Sequence, residues 1–120
     1  MNKIGIKDTT EIALEIGRIL LQSGATANRV ELMLHKVCFA LGYQHSESYV
    51  TPTGIFLSVS DSADSLTTSI KRIDNRRTDL GKITRLSRFV YELETTKCKG
   101  GRCSLQSADI RKELFWIDNE

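Results

Sequence analysis

Apolar residues recur at helical spacing through residues 8–22, where Ile12, Ile16, Ile19 and Leu20 make one stripe, and the period predicts an amphipathic helix. Asp8 or Thr9 can cap it, with Glu11 three residues after Asp8 as in a capping box, and Ser23-Gly24 supplies the stop. Residues 26–41 repeat the pattern, with Val30, Met33, Leu34, Val37, Cys38 and Leu41 on one face and Gly42 behind them. Two helices joined by so few residues should lie antiparallel as a hairpin.

The period then changes from helical to alternating. Residues 47–51, 55–60 and 66–73 are rich in Val, Ile, Thr, Tyr and Phe, which suits three strands. Thr51-Pro52-Thr53-Gly54 reads as a type I turn between the first two, and residues 61–65 as the loop before the third. Helical spacing returns with Leu80, Ile83, Leu86, Val90 and Leu93 behind a Thr78 or Asp79 cap. Residues 95–104 read as a loop around Gly100-Gly101, and Ser104 or Ser107 opens a last short helix carrying Ile110, Leu114 and Ile117. The order predicts an α+β fold: a helical hairpin, a three-stranded antiparallel meander, then two helices, with the helices packed on one face of the sheet.

Length and composition fit one soluble domain over residues 1–120, able to bury a modest core without staples. The net charge of +2 is unevenly spread: residues 1–65 carry −2, residues 71–88 carry +5 and residues 89–120 carry −1. A basic excess confined to one short segment points to a local anion partner rather than to bulk nucleic-acid binding. Few aromatics interleave with those cations, which also argues against nucleic acid. Three cysteines and no apolar leader suggest a reduced, cytosolic setting. No run approaches the roughly 18 apolar residues of a membrane span.

The candidate chemistry is sparse. His35, Cys38, Cys98 and Cys103 could in principle supply four zinc ligands. Cys38, however, sits on an apolar stripe, and the C-x4-C spacing is looser than a zinc ribbon, so a core thiol and an oxidisable loop pair are the better reading and no metal or cofactor is expected. His45 reads as a surface histidine at a strand start. Thr51, Thr53 and Ser58 are hydroxyls without a visible base, and their simplest role is to hold the turn. A hydrolase reading would use Thr51 or Thr53 as nucleophile or water-positioning group, with Asp79 in reach. The segment Arg72-Ile73-Asp74-Asn75-Arg76-Arg77 is richer: its guanidinium groups flank a helix start whose free N–H groups already favour anions. Arg29 and Glu31 are further polar candidates, two apart and so poorly placed to pair with each other.

Three pieces in order resemble one family. They are Ser23-Gly24-Ala25 with Arg29-Val30-Glu31; Val50-Thr51-Pro52-Thr53-Gly54-Ile55; and Arg72-Ile73, Arg76 and Asp79-Leu80-Gly81-Lys82-Ile83 followed by Leu86-Ser87-Arg88. The chain is similar to the N-terminal domain of the threonine/serine exporter (ThrE) family, well over residues 9–94 and more weakly to Ile117. The resemblance implies a regulatory or gating domain on the cytoplasmic side of the cell membrane. Its partner would be an integral-membrane transporter portion or a separate membrane subunit, and its cargo small amino acids or dicarboxylates. Ending at Glu120 without a membrane segment, the chain reads as a cut-down piece, a split-gene subunit or a stand-alone relative. The expected ligand cleft comprises Thr51, Thr53, Gly54, Arg72, Arg76 and Asp79, with arginine gripping a carboxylate and Asp79 holding an ammonium or an arginine. No residue demands an enzyme; a hydrolase-like domain acting on a small peptide or amide is the rival, and a structural adaptor whose apolar helix face docks another protein is a third reading, with a homo-oligomer left open.

Overall fold

Helix α1 (Ile6–Gln22) starts two residues ahead of the expected position. The Thr9 hydroxyl turns back to the Ile4 carbonyl at 3.5 Å and the Thr9 amide donates to the Gly5 carbonyl, so Thr9 lies inside the first turn and Gly5 is the N-cap. Asp8 then stands in that first turn, where a carboxylate favours the positive end of the helix dipole. At the other end Gly24 adopts φ +104°, and the Ala25 amide reaches back to the Leu20 carbonyl at 3.0 Å. Helix α2 (Ala27–Ala40) follows at once, with the Thr26 hydroxyl capping the Arg29 amide.

The chain is described here by a computed structural model covering residues 3–60, 66–74, 77–99 and 102–119. Strands β1 (His45–Thr51), β2 (Gly54–Ser60) and β3 (Leu66–Arg72) pair antiparallel in the order β1-β2-β3. Pro52 and Thr53 make the tight connection between the first two, since Thr51 stands opposite Gly54. Helix α3 (Leu80–Glu92) is capped by Asp79, whose carboxylate accepts from the Lys82 amide at 3.0 Å. Where the sequence predicts only a loop over 95–104, a π-helical turn at Leu93–Lys97 leads into a two-stranded ladder, β4 (Cys98–Lys99) with β5 (Arg102–Cys103). Its strands of two residues are too short to carry a periodic signal. Helix α4 (Ser107–Asp118) opens with a capping box between Gln106 and Asp109.

The result is the α+β arrangement, with all helices on one side of the meander. The hairpin α1–α2 lies directly on the sheet, α4 packs chiefly against α1, and α3 packs against the π-helical turn, α1, α2 and α4. Thus α1 is buried on nearly every side: Ile12, Ala13, Leu14, Ile16, Ile19, Leu20 and Leu21 are all core residues, a wider face than its sequence stripe. Val50, Ile55, Leu57 and Val59 supply the sheet's contribution to that core.

Gly17 is where three elements meet. A Cβ there would stand 3.0 Å from both Ile55 Cδ1 on β2 and Leu34 Cδ2 on α2. A side chain larger than hydrogen must therefore push the hairpin off the sheet or force core rotamers. Gly17→Leu should destabilise the fold by about 2–3 kcal/mol or more, read as a lower urea midpoint; an unchanged midpoint would show that α1 is not held this closely.

Candidate functional site

A helix C-terminus leaves carbonyls without intrahelical partners, and a buried one needs donors from elsewhere. Here the segment joining β3 to α3 supplies them. The Arg77 amide donates to the Gln22 carbonyl at 2.7 Å and the Asp79 amide to the Ser23 carbonyl at 2.8 Å. Gln22 returns a bond from its side-chain amide to the Asp74 carbonyl at 2.6 Å. Gly24 lies close against Thr78, where even a Cβ would meet the Thr78 Cα at 3.6 Å. Two segments far apart in sequence, around Ser23-Gly24 and around Thr78-Asp79, are thereby stitched together.

Charged side chains gather over this seam. Arg18 pairs with Glu15 on its own helix, donates to Gln22 Oε1 at 2.7 Å and reaches Asp118 on α4 at 2.9 Å. Lys82 Nζ donates to the Asp118 carbonyl at 2.7 Å and stands 3.6 Å from its carboxylate. The Glu15 carboxylate first, and Asp118 after it, hold the Arg18 pKa above the usual arginine range, while partial burial works the other way. The open cleft beside these groups has a volume of about 460 Å³ and is lined by Ile19, Gln22, Ser23, Arg77, Asp79, Lys82 and Asp118. Two cations and two carboxylates around one cleft suit a small zwitterion, with a carboxylate toward Arg77 and Lys82 and an ammonium toward the acids.

The residues expected from sequence divide between two places. Thr51, Thr53, Gly54 and Arg72 share the end of the β1–β2–β3 meander: Thr51 pairs with Gly54, Gly54 with Arg72, and the Thr53 carbonyl accepts from the Ile73 amide at 2.8 Å. The Thr51 hydroxyl donates to the Gly54 carbonyl at 3.3 Å, within the turn itself. Arg72 is 87% exposed and stands 3.8 Å from Asp74. Asp79 lies in the other place, the cleft at the end of α1, and none of those four lines that cleft. Arg76 lies outside the described residues. Gln22, Arg18 and Asp118 carried no local signal in the sequence; Arg18 and Asp118 are 100 positions apart. Of the remaining polar candidates, Arg29 donates to Ser87 at 3.0 Å and so ties α2 to α3.

A second cleft, about 480 Å³, opens between α1, β3 and α4, with Glu11, Glu15, Lys71 and Arg111 around an apolar floor of Ile12 and Leu114. Arg111 there is engaged by Glu11 at 2.7 Å and by Asp8 at 3.4 Å.

The family model described as "Putative threonine/serine exporter" matches residues 11–117, nearly the whole chain. The chain belongs to the threonine/serine exporter family. No curated protein and no solved structure matches it. Membership in the exporter family associates the chain with threonine/serine transport and a membrane context. Among the described residues, no helix is long and apolar enough to cross a membrane. The matched region contains both segments that meet at the seam.

Three of the four candidate zinc ligands have described side chains, and that of Cys103 lies outside the described residues. His35 Nδ1 lies 3.2 Å from Ser46 Oγ, Cys98 is disulfide-bonded, and Cys38 is a free, fully buried thiol. Burial pushes the Cys38 thiol up to about 12, with a hydrogen bond to Ser46 pulling weakly the other way. In the unfolded chain that thiol ionises near 9. Between those values the unfolded state loses a proton that the folded state keeps, so stability falls as pH rises from about 9 toward 12, by at most ~1.4 kcal/mol per pH unit. Urea midpoints measured across that range should fall less steeply in Cys38→Ala than in the parent; equal slopes would place the thiol in a solvated setting.

Proposed function

We propose that this chain is a regulatory or gating part of a threonine/serine exporter, acting from the cytoplasmic side on an integral-membrane portion or a separate membrane subunit. Its ligand is a small amino acid or dicarboxylate, bound where the connecting segment closes over the end of α1. The observation that carries this reading is the convergence, inside the family-matched region, of the Ser23-Gly24 and Thr78-Asp79 segments on one charge-balanced cleft.

In this reading Lys82 and Arg77 take the ligand carboxylate, and Asp79, already fixed by the Lys82 amide, faces the ammonium. Arg76 directly precedes Arg77 in the chain and is a candidate for the same carboxylate. Thr51, Thr53, Gly54 and Arg72 stand at the strand ends from which the connecting segment departs, and are the candidates for a ligand that extends beyond the cleft. Occupancy would reach the rest of the protein through Lys82, because a ligand carboxylate competes with Asp118 for its ammonium and so alters how α4 is tied to α1 and α3.

Calorimetry with threonine, serine and succinate tests the reading, on the chain alone and together with the exporter's membrane portion. Binding of at least one of them is expected, weakened at least ~10-fold, or about 1.4 kcal/mol, by Lys82→Ala. Absence of heat with all three in both preparations contradicts a ligand site, and affinity unchanged in Lys82→Ala places it elsewhere.

A further inference from the structure

Among the described residues the helices cover one face of the meander, and the other face carries a row of apolar side chains among polar ones. Side chains alternate between the faces along each strand, so the register fixes what stands outside. Tyr49 on β1 is opposite Phe56 on β2, and Phe56 is opposite Ile70 on β3. These three make a continuous apolar row across the whole sheet, and they are 63%, 42% and 72% exposed. A solvated antiparallel face ordinarily carries polar residues at such positions, and a contiguous exposed apolar patch marks an interaction surface. The inward positions of the same strands hold the core residues Val50, Ile55, Leu57 and Val59, so the outer row adds nothing to the fold's own core.

The charges around the row indicate what covers it. Phe56 is the centre of the face. Glu47 lies on β1, in the rung of Ser58 and Thr68, on one side of the row. Arg72 lies on β3, in the rung of Gly54 and Thr51, on the other side. The two therefore occupy diagonally opposite corners with Phe56 between them, and both are exposed. A two-fold axis lying in the face, through Phe56 and across that diagonal, sets each Glu47 over the Arg72 of a second copy. The strands of the two sheets then cross steeply, within the orthogonal class of sheet packing. The small residues Gly54 and Ser58 flank Phe56 on the central strand and leave room for the second copy's Tyr49 and Ile70. Self-complementarity of this kind is the condition for a closed two-fold dimer.

We propose that this outer sheet face is a homodimer interface, with Tyr49, Phe56 and Ile70 as its apolar centre and Glu47–Arg72 pairs at two corners. Seven-residue strands make the face about 23 Å long, and three strands make it about 14 Å wide. That footprint, about 320 Å² per copy and about 640 Å² in all, is below the range of standard specific interfaces, so the dimer is weak and concentration-dependent rather than permanent. The proposal does not rest on the ligand cleft, which lies at the end of α1.

Sedimentation velocity of the chain across about 1–500 µM tests it, with circular dichroism as a check on folding. The parent should pass from monomer to dimer mass within that range. Ile70→Glu, at an exposed position, should keep the parent's spectrum and thermal midpoint and shift dissociation at least ~10-fold toward monomer. Glu47→Arg alone and Arg72→Glu alone should each weaken association, and the doubly exchanged chain should recover it. A strict monomer at the highest concentration overturns the proposal. So does a dimer indifferent to Ile70→Glu, or one in which the double exchange associates no better than the singles.

Discussion

The close seating of α1 between the sheet and the other three helices is the constraint on which the rest of the structure depends. A helix exposed on one side needs only a stripe of apolar residues; one enclosed on nearly every side must be apolar over most of its surface. Ile12, Ile16, Ile19, Leu20 and Leu21 meet that demand, each worth about 1.5–3 kcal/mol when fully buried. The same enclosure forbids bulk at Gly17, where β2 and α2 approach within contact of the backbone. Of the polar groups on α1, Asp8, Thr9, Thr10, Glu11, Glu15, Arg18 and Gln22 each have a defined partner. Arg18 is the clearest, with its charge met by Glu15 and Asp118.

Enclosure also explains why the candidate site lies where it does. Burying the C-terminal turn of α1 leaves its carbonyls in need of donors, and the segment between β3 and α3 provides amides at Arg77 and Asp79. Arg77 and Asp79 are thus pinned by their backbone to the end of the central helix, and their side chains are left to line a cleft. The Asp79 carboxylate, serving as the α3 cap, sits at the same point. On the proposed reading, one piece of chain meets both the structural need and the ligand chemistry.

The elements were legible in the sequence wherever one period dominated. Helices α2 and α3 and the three strands fall within a few residues of their expected positions, and the α+β order follows from them. The start of α1 was misplaced because Thr9 offers the same hydroxyl to a cap and to a first-turn carbonyl, and local sequence does not say which it serves. The full enclosure of α1 was only half visible, since its stripe reads like that of any one-sided helix. On β1 and β2 the residues Tyr49 and Val50, and Ile55 and Phe56, are apolar neighbours pointing to opposite faces, so alternation could not tell core from surface. The basic segment and Asp79 stood out as candidates, whereas Arg18, Gln22 and Asp118 became visible only when the fold closed a gap of 100 residues. Grouping the turn at Thr51–Gly54 with Asp79 followed from their chain order; the structure sets them at separate ends of the connecting segment.

Amide hydrogen exchange, followed residue by residue, addresses the central role of α1 most directly. The amides of residues 12–21 should exchange only through global unfolding, making them the most protected in the protein and equal to one another in opening free energy, with α4 opening at lower cost. If α1 instead exchanges through local opening while the sheet or α4 stays protected, the fold is not organised around this helix.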